Sequence, residues 1–366
     1  MAAGIVLISR KRKKEIVTYG NSSIPVSPKR NEEENKTYKL KIMQGKDIRI
    51  VFMGTPDFAV ESLKALVENG YNVVGVITTP DKPAGRGQKV HTSAVKQYAM
   101  SQNLPVLQPE KLKDPTFIEK LTTWKADLQV VVAFRMLPEI VWSMPPMGTF
   151  NLHASLLPQY RGAAPLNWAV INGEQESGVS TFLLKHEIDT GNILFQEKVS
   201  IGPDETVGEL HDKLMGVGAK LVLTTVDALA EGTAKGISQD VLIARGVNVK
   251  PAPKIFKDDC RIDWKQPGAQ IHNLIRGLSP YPASWTVFQE KEGNKEISVK
   301  IYRAHFEKEN HDTTPGTVIS PNKKELKIAC PDGFVSIYEL QMAGKKRMNV
   351  DDFLRGFQNA EQFQAI

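Results

Sequence analysis

The sequence predicts an α/β protein: a Rossmann-like, open, parallel-rich sheet followed by a small β-barrel. Three observations predict it. From residue 48 to about 230, short apolar segments alternate with amphipathic ones, the pattern of parallel strands covered by crossover helices. Gly232–Lys257 is linker-like, with Gly246 and Pro251-Ala-Pro253. Beyond it come several short alternating segments with turn punctuation, which suit a small barrel. The 366 residues are long enough for two domains with a core in each. The expected divisions are an N-terminal extension at 1–46, a catalytic domain at 47–232, a linker at 233–252 and a C-terminal domain at 253–358.

The net charge of +6 is unevenly spread. Residues 1–46 carry +7, residues 47–249 carry −4, and the rest carry +3. The globular charge therefore argues only weakly for nucleic acid. Arg10-Lys-Arg-Lys-Lys14 and Glu32-Glu-Glu34 make the first 46 residues patchy, and disorder is the default there. Met43 precedes the folded pattern and is expected to be the native start. No apolar run approaches the ~20 residues that span a bilayer. Cys260 and Cys330 are the only cysteines, so a disulfide framework is not expected and a reducing cytoplasm is the natural compartment.

In order, Ile48–Met53 reads as the first strand. Gly54-Thr-Pro-Asp57 turns into a helix that Asp57 is placed to cap, with Phe58, Leu63, Leu66 and Val67 on its buried face. Tyr71–Thr78 is the second strand. No Gly-x-Gly-x-x-Gly lies between them, which counts against a nicotinamide or flavin enzyme. Thr79–Lys89 is rich in Pro and Gly and reads as a loop. Its Lys82, Arg86 and Lys89 are either solvated charges or an arm that grips anions. Helices follow at Ser93–Met100 and Asp114–Trp124, with a short strand at Val106-Leu107 and a doubly apolar one at Asp127–Ala133. Gly148–His153 is a strand, and Pro165 suits the first turn of the next helix. Val179–Leu184 is a strand, and Thr206–Leu229 is a long amphipathic helix. Gln266–Leu278 opens the last domain as a helix with Ile271, Leu274, Ile275 and Leu278 on one side.

The chemistry concentrates in Phe150-Asn-Leu-His-Ala-Ser-Leu-Leu-Pro-Gln-Tyr-Arg-Gly-Ala-Ala-Pro165. Asn151, His153 and Ser155 are two apart, so an extended strand sends all three to one face. An amide can hold a developing oxyanion, and an imidazole can move protons near neutral pH. Further on, Lys185-His-Glu-Ile-Asp-Thr-Gly-Asn192 joins two apolar segments. Asp189 there is either a turn residue or a carboxylate aimed at His153. No metal is implied, because the chain lacks a compact His/Cys cluster.

The pattern Asn-x-His-x-Ser-Leu-Leu-Pro-x-x-Arg-Gly-x-x-Pro over Asn151–Pro165 resembles the folate-dependent formyltransferases. The closest likeness is to the branch acting on transfer RNA, and it covers residues 48 to about 357. The resemblance implies that the barrel is OB-like and binds transfer RNA. It implies Asn151, His153 and Asp189 as catalytic residues and Ser155, Leu156, Leu157 and Pro158 as the folate cradle. Lys82, Arg86 and Lys89 would meet the acceptor end of the RNA, through Pro83-Ala-Gly-Arg-Gly87. Phe134-Arg135 departs from the family's aromatic-Gly pair. The implied reaction moves a formyl group from 10-formyltetrahydrofolate to the α-amine of initiator methionyl-tRNA, in a monomer, with no membrane involved. Two alternatives stay open: a formyltransferase for an amino sugar nucleotide, and an inactive formyltransferase fold that binds RNA.

Overall fold

The computed structural model describes residues 44–84, 89–246 and 249–366, and side chains at 83–91 are outside that description. The expectations for residues 1–43 and for Arg86 lie outside the described residues.

The first sheet runs Ile193–Ser200, Glu176–Leu183, Thr149–His153, Leu128–Val132, Ile50–Gly54, Val73–Ile77, Val106-Leu107. The last five of these strands are mutually parallel, Glu176–Leu183 runs antiparallel to them, and Ile193–Ser200 pairs antiparallel with Glu176–Leu183. Ile50–Gly54 and Leu128–Val132 are buried at every position, as strands covered on both faces must be. Their alternation divides the core. Ile50, Phe52, Val130 and Val132 pack with helix Asp57–Glu68 and the long helix Val207–Ala230, while Val51, Met53 and Val131 pack with Phe117 and Leu121. Each such side chain, fully buried, contributes about 1.5–3 kcal/mol.

Several helix starts follow from their caps. Ser93 and Asp114 accept backbone N–H groups of the next turn, and Thr206 with Glu209 forms a reciprocal capping box. Asp57 does not cap its helix. Pro56 holds the N-cap position without a side-chain bond, and Asp57 is the acid of the first turn, favourable to the helix dipole.

Two stretches read as irregular are more ordered. Lys82–Ala84 and Lys89–His91 pair antiparallel, so the described part of the expected loop is the stem of a hairpin. Asp81 anchors its root by accepting from Lys96 Nζ at 2.5 Å and Gln108 Nε2 at 2.9 Å. The expected linker holds helix Gln239–Ala244, and its Pro251-Ala252 pairs with Arg161-Gly162.

The C-terminal strands form an antiparallel sheet ordered Val318–Asn322, Glu325–Cys330, Gly333–Met342, Glu296–Lys308, Ser284–Glu290, Phe363–Ala365. The long strand Glu296–Lys308 breaks register around Arg303, which lets the sheet curl. Its two edges then meet: Thr317 bridges Gln364, and Ala365 N–H donates to the Gly316 carbonyl at 2.8 Å. The closing strand lies beyond residue 358, the boundary expected from sequence, and helix Val350–Gly356 was also not anticipated. Helix Gly268–Leu278 packs on the first domain, where Asn167 Nδ2 donates to the Gly277 carbonyl at 2.8 Å.

Candidate active site

The strand Thr149–His153 lies at the sheet's change of direction, with a parallel neighbour on one side and an antiparallel one on the other. Open sheets gather ligands at such strand ends. Asn151 is half-buried and His153 is buried. His153 Nε2 lies 2.9 Å from the Tyr160 carbonyl. A carbonyl oxygen only accepts, so this nitrogen carries the proton and Nδ1 is the one that exchanges. Nδ1 faces Asp189 Oδ2 at 3.9 Å.

Asp189 is held by its surroundings. Its backbone is left-handed, φ 53°, a conformation that aspartate tolerates better than most non-glycine residues. Gly162 N–H donates to Asp189 Oδ2 at 3.1 Å. Gln239, 1% exposed, donates through Nε2 to the carbonyls of Asp189 and Gly191, each at 2.8 Å. Its Oε1 accepts from Arg161 Nε at 2.9 Å and from the Arg161 terminal nitrogen at 2.7 Å. One buried amide thus ties the Asp189 loop to the Arg161-Gly162 turn. Sequence reasoning missed it, because a lone glutamine in a polar connector carries no local pattern.

The Tyr160 turn is supported from the same connector. Its N–H donates to the Lys250 carbonyl at 2.7 Å, and its hydroxyl donates to Glu174 at 2.5 Å. Burial, then Glu174, pushes the Tyr160 phenol above its ordinary range. Burial works against the Glu174 charge, but hydrogen bonds from Lys250 and Tyr160 hold its carboxyl below the usual range. Together these fix the carbonyl that orients His153.

Ser155 does not present its hydroxyl to the site. The strand ends at His153, and the fully buried Ser155 donates to the Gln159 carbonyl at 2.6 Å. The Ser155 carbonyl accepts from Ser180 at 2.6 Å, and Leu157 N–H donates to Ser180 Oγ at 3.0 Å. Gln196 Nε2 reaches the Leu157 carbonyl at 2.9 Å. Leu157 and Pro158 are buried as well, so of the four expected cradle residues only Leu156 has a half-exposed side chain. It lines a cavity of about 780 Å³ with Tyr160, Glu174 and Lys250, and none of Asn151, His153 or Asp189 lines that cavity.

Ile188, the chain neighbour of Asp189, is 63% exposed, and Met136 is 75% exposed. Their segments touch, since His186 Nε2 lies 3.2 Å from Glu139 and its ring meets Trp142 edge-on at 5.5 Å. The two segments thus carry exposed apolar side chains. Lys82 is exposed, Lys89 pairs with Ala84 through its backbone, and Arg86 falls in the sequence between those strands.

Comparison with known proteins gives these features a context. Residues 48–226 match the formyl transferase family, and residues 254–358 match the formyl transferase C-terminal domain. The methionyl-tRNA formyltransferase of Bacteroides thetaiotaomicron is 58% identical over 322 residues, spanning 88% of this chain and 99% of that protein. That of Flavobacterium johnsoniae is 51% identical, over 84% and 96% of the two chains. Among solved structures, WlaRD, a sugar 3N-formyl transferase crystallised with dTDP and 5-N-formyl-THF, aligns with TM-score 0.56 at 22% identity, over 82% of this chain and 99% of its own. HypX from Aquifex aeolicus with tetrahydrofolic acid aligns with TM-score 0.58 at 18% identity, over 85% and 48%. At such identities the structures speak for the fold alone.

Proposed function

The chain belongs to the formyl transferase family, and on that premise we propose that it carries a formyl group from 10-formyltetrahydrofolate to the α-amino group of initiator methionyl-tRNA. The observation that carries the catalytic assignment is the convergence of Asp189 on His153 Nδ1, enforced by Gln239 and Gly162. The amine attacks the formyl carbon, a tetrahedral oxyanion forms, the new C–N bond is kept and the bond to the folate nitrogen breaks. The Asn151 amide, which has no hydrogen-bond partner among the described residues, is free to donate to the oxyanion. His153 exchanges the amine proton through Nδ1 toward the departing folate nitrogen. Asp189 stabilises the imidazolium that this exchange creates. The amine is itself the nucleophile, so no covalent enzyme intermediate is needed.

The Ser155–Pro158 loop serves folate as a scaffold rather than through the Ser155 hydroxyl, and the Met136 and Ile188 rim supplies apolar contact. Lys82, Arg86 and Lys89 serve the RNA, and the barrel adds Lys345 and Lys346 at its surface. The same reading has the reaction run in the cytoplasm, by a monomer. Incubating the protein with 10-formyltetrahydrofolate and either charged initiator tRNA or a free amino sugar nucleotide tests the proposal. Formyl-methionine recovered from the RNA is the expected result, and formylation of the sugar alone would overturn it.

A further inference from the structure

Away from the active site, three chemically competent side chains meet where the catalytic domain touches the barrel. Asp204 sits in the turn before the long helix, His272 on helix Gly268–Leu278, and His305 on strand Glu296–Lys308. Asp204 Oδ1 lies 2.9 Å from His305 Nδ1 and 3.3 Å from His272 Nε2. All three donor atoms fall within 4.8 Å of one another. Zinc bonds of about 2.0–2.2 Å in a tetrahedron place ligand atoms roughly 3.3–3.5 Å apart. One measured edge already has that length, and the other needs to open by a few tenths of an ångström.

We propose that Asp204, His272 and His305 form a transition-metal site, for zinc or an ion of that class, which staples the barrel to the catalytic domain. Two imidazoles and a carboxylate are a borderline donor set of the kind such ions select, with a fourth position left for water. Arg276 is the opposing charge nearby, and its guanidinium is engaged by the carbonyls of Gly202 and Glu205 at 3.3 and 3.1 Å. His305 and Asp204 are 101 positions apart, which is why no ligand spacing marks the site in the sequence. The site is remote from formyl transfer and does not depend on that reading.

The test uses the full chain after chelator treatment. Equilibrium dialysis against micromolar Zn²⁺ is expected to give one bound equivalent, and cobalt substitution a visible absorption band. A hundredfold excess of zinc over its Kd should raise Tm by several degrees. Asp204→Asn and His305→Gln, both at exposed residues, should weaken binding at least tenfold while the metal-free Tm barely moves. His153→Gln should keep the full equivalent, which separates this site from the active-site imidazole. Absence of a stoichiometric equivalent, or binding unaffected by both Asp204→Asn and His305→Gln, would overturn the proposal.

Discussion

His153 donates through Nε2 to a backbone carbonyl, so its unprotonated Nδ1 is the nitrogen that faces Asp189. Replacing His153 by Ala should lower kcat by about 10²–10⁴, the usual range for general acid–base catalysis. Replacing Asn151 by Ala should cost about 10²–10³, as for one oxyanion donor. The double variant His153→Ala/Asp189→Ala should lose far less than the product of its single losses, because the two act as a unit. Single-turnover formylation measures all three, and near-normal turnover in His153→Ala would remove the assignment. Gln239 is a positioning residue. Gln239→Leu strands the Arg161 guanidinium and two carbonyls, at about 1–3 kcal/mol for each group left unsatisfied. Its kcat should fall at unchanged folate KM as Asp189 drifts from His153. A lower Tm with kcat and KM both unchanged would mean that Gln239 only supports the fold.

Elements set by dense local pattern were legible from sequence. Strand Leu128–Val132 is apolar but for Gln129, the helix beginning at Val207 follows from its amphipathic pattern, and Asn151 with His153 follows from a period of two. The failures have physical reasons. Ser155 was read as the next residue on the same face, but the strand has stopped and the hydroxyl is consumed inside the turn. Helix Gln239–Ala244 is only six residues long, and what it stabilises is remote in sequence. The hairpin stem Lys82–Ala84 with Lys89–His91 was hidden by its Pro and Gly content. That arm predicts a specific salt behaviour. Arg86→Ala should raise the tRNA KM and flatten its dependence on log salt by about one unit of slope, as one lost phosphate contact does. Superimposable salt series for the two proteins would leave Arg86 as a solvated charge.

Across the whole molecule, two seams hold the chain together. One is inside the barrel, where Gly316 has φ 85° and a Cβ there would lie 2.3 Å from the Ala365 carbonyl. Gly316→Ala should therefore destabilise the barrel by about 1–3 kcal/mol, read by urea denaturation. The other seam runs between domains, through Arg303 with Glu209 and through Arg276. The connector between the domains is a working part of the first one. Gln239 clamps the Asp189 loop, the Lys250 carbonyl receives the Tyr160 N–H, and Ala252 pairs with Gly162. Modularity therefore has an asymmetric limit. A chimera that grafts a foreign RNA-binding module after residue 232 would discard these contacts, and a Gly/Ser tether could not replace them. A graft placed after Pro253 carries them along, so a swappable catalytic cassette ends there, some twenty residues beyond the last turn of its long helix.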